Sequence, residues 1–192
     1  MTITIYMLSP DALEGARVAN QGAACTTAAI LAALGALGAR DLPPLGAATL
    51  ALGARVPYGA PALLDYVSLA WRRAPLDRRV EELAGAHGAA VRSRSHLVFP
   101  GWPLQVRAEE VLVANLAVGQ ESPGVWGTWG WHLLRPRTYS TGGHSVVVVG
   151  VEGRSWLVLD PNYEQLQRWS RPGVAVTVTR IRRSADQVTA NR

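Results

Sequence analysis

One cysteine, one histidine behind a pair of glycines and one aspartate at a strand end could together do nucleophilic chemistry. Cys25 is the only cysteine among 192 residues, and it opens an apolar run, CTTAAILAALGAL. A thiol at a helix start faces backbone N–H groups that lack intrahelical acceptors and the positive end of the macrodipole. Both favour the thiolate, which is the nucleophilic form. A small residue in an alanine-rich helix also serves plain packing, so the chemistry requires a base. His144 follows Gly142-Gly143 and opens the valine run SVVVV. A sheet would fix the ring there, while the glycines leave room for close backbone approach. Asp160 ends the segment SWLVLD before Pro161-Asn162, a place that equally suits a turn initiator. Residues 150–153 (GVEG) read as a hairpin turn centred near 151 and 152. His144 and Asp160 are then expected opposite one another on neighbouring strands, with Cβ atoms roughly 5 Å apart. A carboxylate in that place fixes the imidazole tautomer and supports its charged form. Gln21 lies just upstream of the cysteine, where a carboxamide could complete an oxyanion hole with the Cys25 backbone N–H; Asn20 is the alternative donor, and turn capping suits either. His87, His96 and His132 lack comparable context and read as surface or packing residues.

These side chains need elements to hold them. Residues 1–8 alternate as a strand before Ser9-Pro10 breaks the pattern. The run 25–37 places Ile30, Leu31, Leu34 and Leu37 on one helical face, and Pro43-Pro44 ends that unit. Residues 61–73 and 76–88 have amphipathic helical periodicity, and a short strand is expected at 90–92. Residues 109–119 (EEVLVANLAVG) open on carboxylates and stop at glycine, which predicts a further helix. From Val125 onward the runs VWGTWGWHLL, HSVVVVGVEG, SWLVLD and VAVTVTRI read as strands. Helices first and an antiparallel sheet second make an α+β layout. A single domain is expected over 1–183, with 184–192 as a flexible tail.

Composition narrows the function classes. Hydrophobic residues make up 48% and charged residues 17%, which suits a globular chain. The net charge is +5, yet the positive residues are all arginine and are scattered, so no nucleic-acid partner is expected. One cysteine excludes an intramolecular disulfide framework and any multi-cysteine zinc site. No cofactor or metal is expected. A lone free thiol fits a reducing compartment. The apolar segment 22–39 has no basic region before it and is rich in Ala, Gly and Thr, so it reads as a buried helix rather than a membrane span. A cytoplasmic location is expected, or secretion without a classical signal peptide.

Gln21, Cys25 on a helix, GGHSVVVVGV and WLVLDPN together resemble the papain-like cysteine peptidase superfamily. The resemblance is to bacterial double-glycine leader peptidases and to plant-pathogen effector proteases, and it covers residues 142–162 most fully. It departs at Thr26, where glycine or tryptophan is usual, and in the short spacing from Gln21. The resemblance implies a papain-like fold with Cys25 as nucleophile, His144 as general base, Asp160 as its orienting group and Gln21 as oxyanion donor. The activity it implies is hydrolysis of a peptide or isopeptide bond in a peptide or protein substrate, through an acyl-enzyme. Double-glycine specificity is not carried over. Two alternatives remain: acyl or aminoacyl transfer by the same triad, with Trp126, Trp129 and Trp131 walling an acceptor site, or a non-catalytic binding protein on the same fold. The sequence says nothing of oligomeric state.

Overall fold

The computed structural model describes residues 4–6, 12, 15–21, 24–53, 73–97, 107, 110–122, 125–128, 141–152, 155–169 and 175–184. It is an α+β protein. The elements run β1 (Thr4–Tyr6), α1 (Cys25–Ala36), α2 (Leu45–Leu52), α3 (Arg73–Ala86), β2 (Val91–Leu97), β3 (Glu110–Ser122), β4 (Val125–Thr128), β5 (Thr141–Glu152), β6 (Ser155–Leu159), β7 (Gln167–Trp169) and β8 (Ala175–Arg183). The sheet has the order β2-β8-β3-β5-β6-β7, with β1 added to β5 and β4 to β3. Every described pairing is antiparallel. No helix among the described residues is long and apolar enough to cross a membrane.

Helix α1 begins at Cys25, as its apolar periodicity predicts, but it is not one-sided. Every residue except Gly35 is buried, with Ile30 and Leu34 fully enclosed. Alanine and threonine fill most of the circumference, and their small side chains let β3, β5 and α2 close around the helix. Its apolar neighbours include Val111, Val113, Val147, Leu159 and Ile181 on the facing side of the sheet. Helix α2 was not apparent in the sequence. Pro44 precedes it with an extended backbone, and Gly53 closes it. Thr49 holds it to α1 through a hydroxyl bond to Thr27 at 3.1 Å.

Two helices stop in the same way. At the end of α1, Gly38 (φ +100) donates to the Gly35 carbonyl and Ala39 to the Leu34 carbonyl. At the end of α3, Gly88 (φ +76) donates to Gly85 and Ala89 to Ala84. Each glycine takes the left-handed conformation that lets two amides satisfy the last orphan carbonyls. The segments LGALGA and AGAHGA are near-identical for that reason.

The helix expected over 109–119 is instead the strand β3. It lies between β5 and β8, and its residues 110–115 are buried on both faces. A central strand presents no polar face, so its apolar run lacks the alternation that marks a half-exposed strand. The Glu110 carboxylate, which suggested a helix start, pairs with Arg180 on β8. The short strand expected at 90–92 extends to Leu97 as β2. Ser184, first residue of the expected tail, donates its amide to the Ala90 carbonyl at 2.8 Å. Most of the helix expected at 61–73, the tail beyond Ser184, and Trp129, Trp131 and His132 lie outside the described residues.

Candidate active site

The hairpin between β5 and β6 turns two residues later than GVEG suggested. Glu152 pairs with Ser155, so the connection falls at 153–154. Pair numbers sum to 307 from that turn to Gly150↔Leu157 and to 306 at Val148↔Val158 and Val147↔Leu159. One extra residue, Val149, is therefore bulged out of β5. Continuing at 306 places Asp160 opposite Val146, two residues from His144. Ring and acid are diagonal neighbours on one face rather than directly opposed. Without the bulge, Asp160 would fall opposite Val147, on the face away from His144.

The diagonal is short enough to bond. His144 Nε2 lies 2.9 Å from Asp160 Oδ1, and both side chains are buried. The same carboxylate oxygen accepts the Asn162 amide at 2.9 Å. Oδ2 is buried with no hydrogen-bond partner among the described residues. With Nε2 committed to Asp160, Nδ1 is the ring nitrogen left for Cys25, to which the imidazole also hydrogen-bonds. Burial pushes the His144 pKa down, but hydrogen bonds to Asp160 and Cys25 and their charges outweigh it and raise it to about 9. Burial likewise opposes ionisation of the Cys25 thiol. The His144 hydrogen bond and charge, with hydrogen bonds from the Ser145 amide and hydroxyl, bring its pKa below the ordinary 9.0. The two shifts together favour a thiolate–imidazolium pair.

Proline shapes the place where the sulfur sits. At the register of Val147↔Leu159, Ser145 would face Pro161. Proline ends β6 there, and the Ser145 amide turns to Cys25 instead. The Pro161 carbonyl, freed from the sheet, accepts the Asn20 amide at 2.8 Å. Asn20 Nδ2 also donates to Asn162 Oδ1 at 2.8 Å. The chain entering the cysteine helix is thereby stitched to the turn that carries the aspartate. Of the two carboxamides considered upstream of Cys25, Asn20 is thus held against this turn. Gln21 is exposed and makes no side-chain hydrogen bond among the described residues. The residue before helix α1 is Ala24, which makes no side-chain cap to the amides at its start.

A buried polar chain behind the sulfur was not foreseen. Thr26 Oγ1 lies 2.7 Å from Ser145 Oγ, Ser145 donates to Asn115 Oδ1 at 2.6 Å, and Asn115 Nδ2 donates to Thr177 Oγ1 at 2.8 Å. These four residues flank Cys25, flank His144 and cross β3 and β8. Asn115 was hidden by reading its segment as helix. Ser145 and Thr26, each adjacent to a triad residue, were visible but mute without the fold. His87 contacts the Arg40 carbonyl through Nδ1, and His96 sits on β2 away from the triad. Among the described residues no cluster of three or more His, Cys, Asp or Glu is arranged to hold a metal.

Comparison with protein-family models, curated proteins and solved structures returns no match to this chain.

Proposed function

We propose that this chain is a thiol hydrolase of the papain type, acting on a peptide or other amide bond through an acyl-enzyme at Cys25. One observation carries the reading. His144 and Asp160 share a 2.9 Å hydrogen bond in a buried site where, against the effect of burial, His144 lowers the pKa of the Cys25 thiol and Asp160 and Cys25 raise that of the imidazole. A structural cysteine in an alanine-rich helix has no need of a charged ring beside it. A cysteine helix packed on an antiparallel sheet that bears the base and the acid supports a papain-like layout.

In this mechanism the Cys25 thiolate attacks the substrate carbonyl, and the C–N bond breaks as the His144 imidazolium gives its proton to the leaving amine. Water then attacks the thioester while neutral His144 takes its proton, and the C–S bond breaks to restore thiolate and imidazolium. Asp160 holds the ring in one tautomer throughout. In this reading the Cys25 amide stabilises the oxyanion, with Gln21 as its side-chain partner.

The test is active-site labelling followed by turnover. A small electrophile such as iodoacetamide should alkylate Cys25 at pH 6 in the wild type and at least ten-fold more slowly in His144→Ala. Cys25→Ala should abolish amide cleavage of a peptide library. Labelling indifferent to His144 overturns the reading. Product analysis with an added amine separates hydrolysis from acyl transfer.

A further inference from the structure

Helix α1 is apolar around its whole circumference, which leaves its rotation weakly specified. A one-sided helix is turned by its polar face toward water, but every residue of α1 except Gly35 is buried. Burial of apolar surface is non-directional, and the alanines that cover much of α1 differ little from one face to the next. Yet rotation matters to the sulfur. A turn of about 15° carries an atom on the ~5 Å surface of a helix by about 1.3 Å, enough to spoil a hydrogen bond.

Besides Cys25, α1 carries two polar side chains, Thr26 and Thr27. Thr27 accepts from Thr49 on α2, which ties one helix to another. Thr26 reaches the sheet, with its Oγ1 2.7 Å from Ser145 Oγ. The two partners are placed alike: Thr26 follows the cysteine in the chain and Ser145 follows the histidine. The anchor is itself fixed, since Ser145 donates to Asn115 Oδ1 at 2.6 Å and Asn115 Nδ2 donates to Thr177 Oγ1 at 2.8 Å. With the single Ser145 proton directed to Asn115, Thr26 is the donor of its bond. All four residues are buried, so no solvent offers a substitute partner.

We infer that Thr26 is a positioning residue for the nucleophile: its hydrogen bond to Ser145 fixes the rotation of α1 and so aims the Cys25 sulfur at the His144 ring. The inference rests on the proposed thiol chemistry and adds to it the group that aligns sulfur and base. A directional bond supplies what apolar packing lacks, a single angle at which donor and acceptor meet. Because it joins the residues that follow nucleophile and base, a turn of the helix that parts sulfur from ring also stretches this bond. Thr26 acts through Cys25 and takes no part in proton transfer.

The experiment is a double-mutant cycle read by the pH dependence of Cys25 alkylation with iodoacetamide, in the wild type, Thr26→Val, His144→Ala and the double variant. Circular dichroism and thermal unfolding monitor the fold of each. Valine keeps the shape of threonine and removes the hydroxyl. Thr26→Val should move the acid limb up by about one pH unit, because a misaligned ring supports the thiolate less. In the His144→Ala background the same substitution should leave the limb in place, since no ring remains to be aligned. Thr26→Ser, which keeps the hydroxyl, should follow the wild type. Three results overturn the inference while a wild-type limb sensitive to His144 leaves the proposed function standing: Thr26→Val superimposing on the wild type, an equal shift with and without His144, or Thr26→Ser behaving as Thr26→Val. A wild-type limb indifferent to His144 overturns both. If Thr26→Val does not fold, Ser145→Ala taken through the same cycle decides.

Discussion

A carboxylate oxygen of Asp160 that serves both the His144 ring and the Asn162 amide sets how the site responds to pH. The imidazole, raised to about 9, remains charged through neutrality and gives up its proton only in alkaline solution. On the proposed mechanism, turnover should rise from acid as the thiol ionises and fall as pH passes about 9, when the proton for the leaving amine is gone. Asp160→Asn removes the charge while keeping the shape, so the imidazolium weakens. A kcat/KM profile should show its basic limb displaced by about one unit toward neutrality. An unmoved limb would mean that Asp160 holds the turn and not the ring. The triad residues were legible in the sequence because each occupies a marked place: a helix start, a glycine-flanked strand mouth and a strand end before proline. Their supports were not, since Ser145, Asn115 and Thr177 meet only across three strands paired through the fold.

Among the elements, the edge of the sheet shows how two periodicities can be matched. Strand β2 lies at the end of the sheet order, where free amides invite pairing with other chains. On α3, Glu81 accepts the Ser93 amide at 2.8 Å, and Asp77 accepts the Ser95 amide at 2.7 Å and both serine hydroxyls. Four residues of helix rise about 6 Å and two residues of strand about 6.7 Å, so carboxylates spaced i, i+4 meet amides spaced i, i+2. Asp77→Ala should cost about 1–3 kcal/mol, because it strips several partly buried donors of their acceptor; urea unfolding would measure it. Light scattering of the same variant should show concentration-dependent association through the opened edge. Gly88→Ala tests a different term. A Cβ there meets nothing within 4 Å, but φ is +76, so the cost is conformational and about 1–2 kcal/mol. Cys25 alkylation should be unchanged in that variant. The amphipathic signal of α3 could be read directly because one side of that helix meets water. The signal of β3 was blurred by burial, which removes the polar face that distinguishes period 3.6 from period 2. The apolar length of β3 and its carboxylate start then passed for a helix.

Across the whole molecule, α1 makes the core and the site one structure. Leu34 is fully enclosed in the last turn of a helix that is buried almost throughout, and Leu34→Ala should cost about 2–5 kcal/mol by unfolding. Because Cys25 is the first residue of that helix, the variant should also alkylate with a shallower pH dependence. The overall α+β layout was legible from the order of patterns along the chain. Strand order was not, since periodicity carries no information about which strands become neighbours. That order has a consequence for biosynthesis. Strand β8, the last strand among the described residues, is inserted between β2 and β3, and Asn20 bonds to a partner 142 residues away. Contacts so distant in sequence close late and slowly. A growing chain that has exposed Cys25 has not yet made His144, and one that has made His144 still lacks the strand that completes the sheet. Until those residues have been made and paired, Cys25 lacks the ring that lowers its titration.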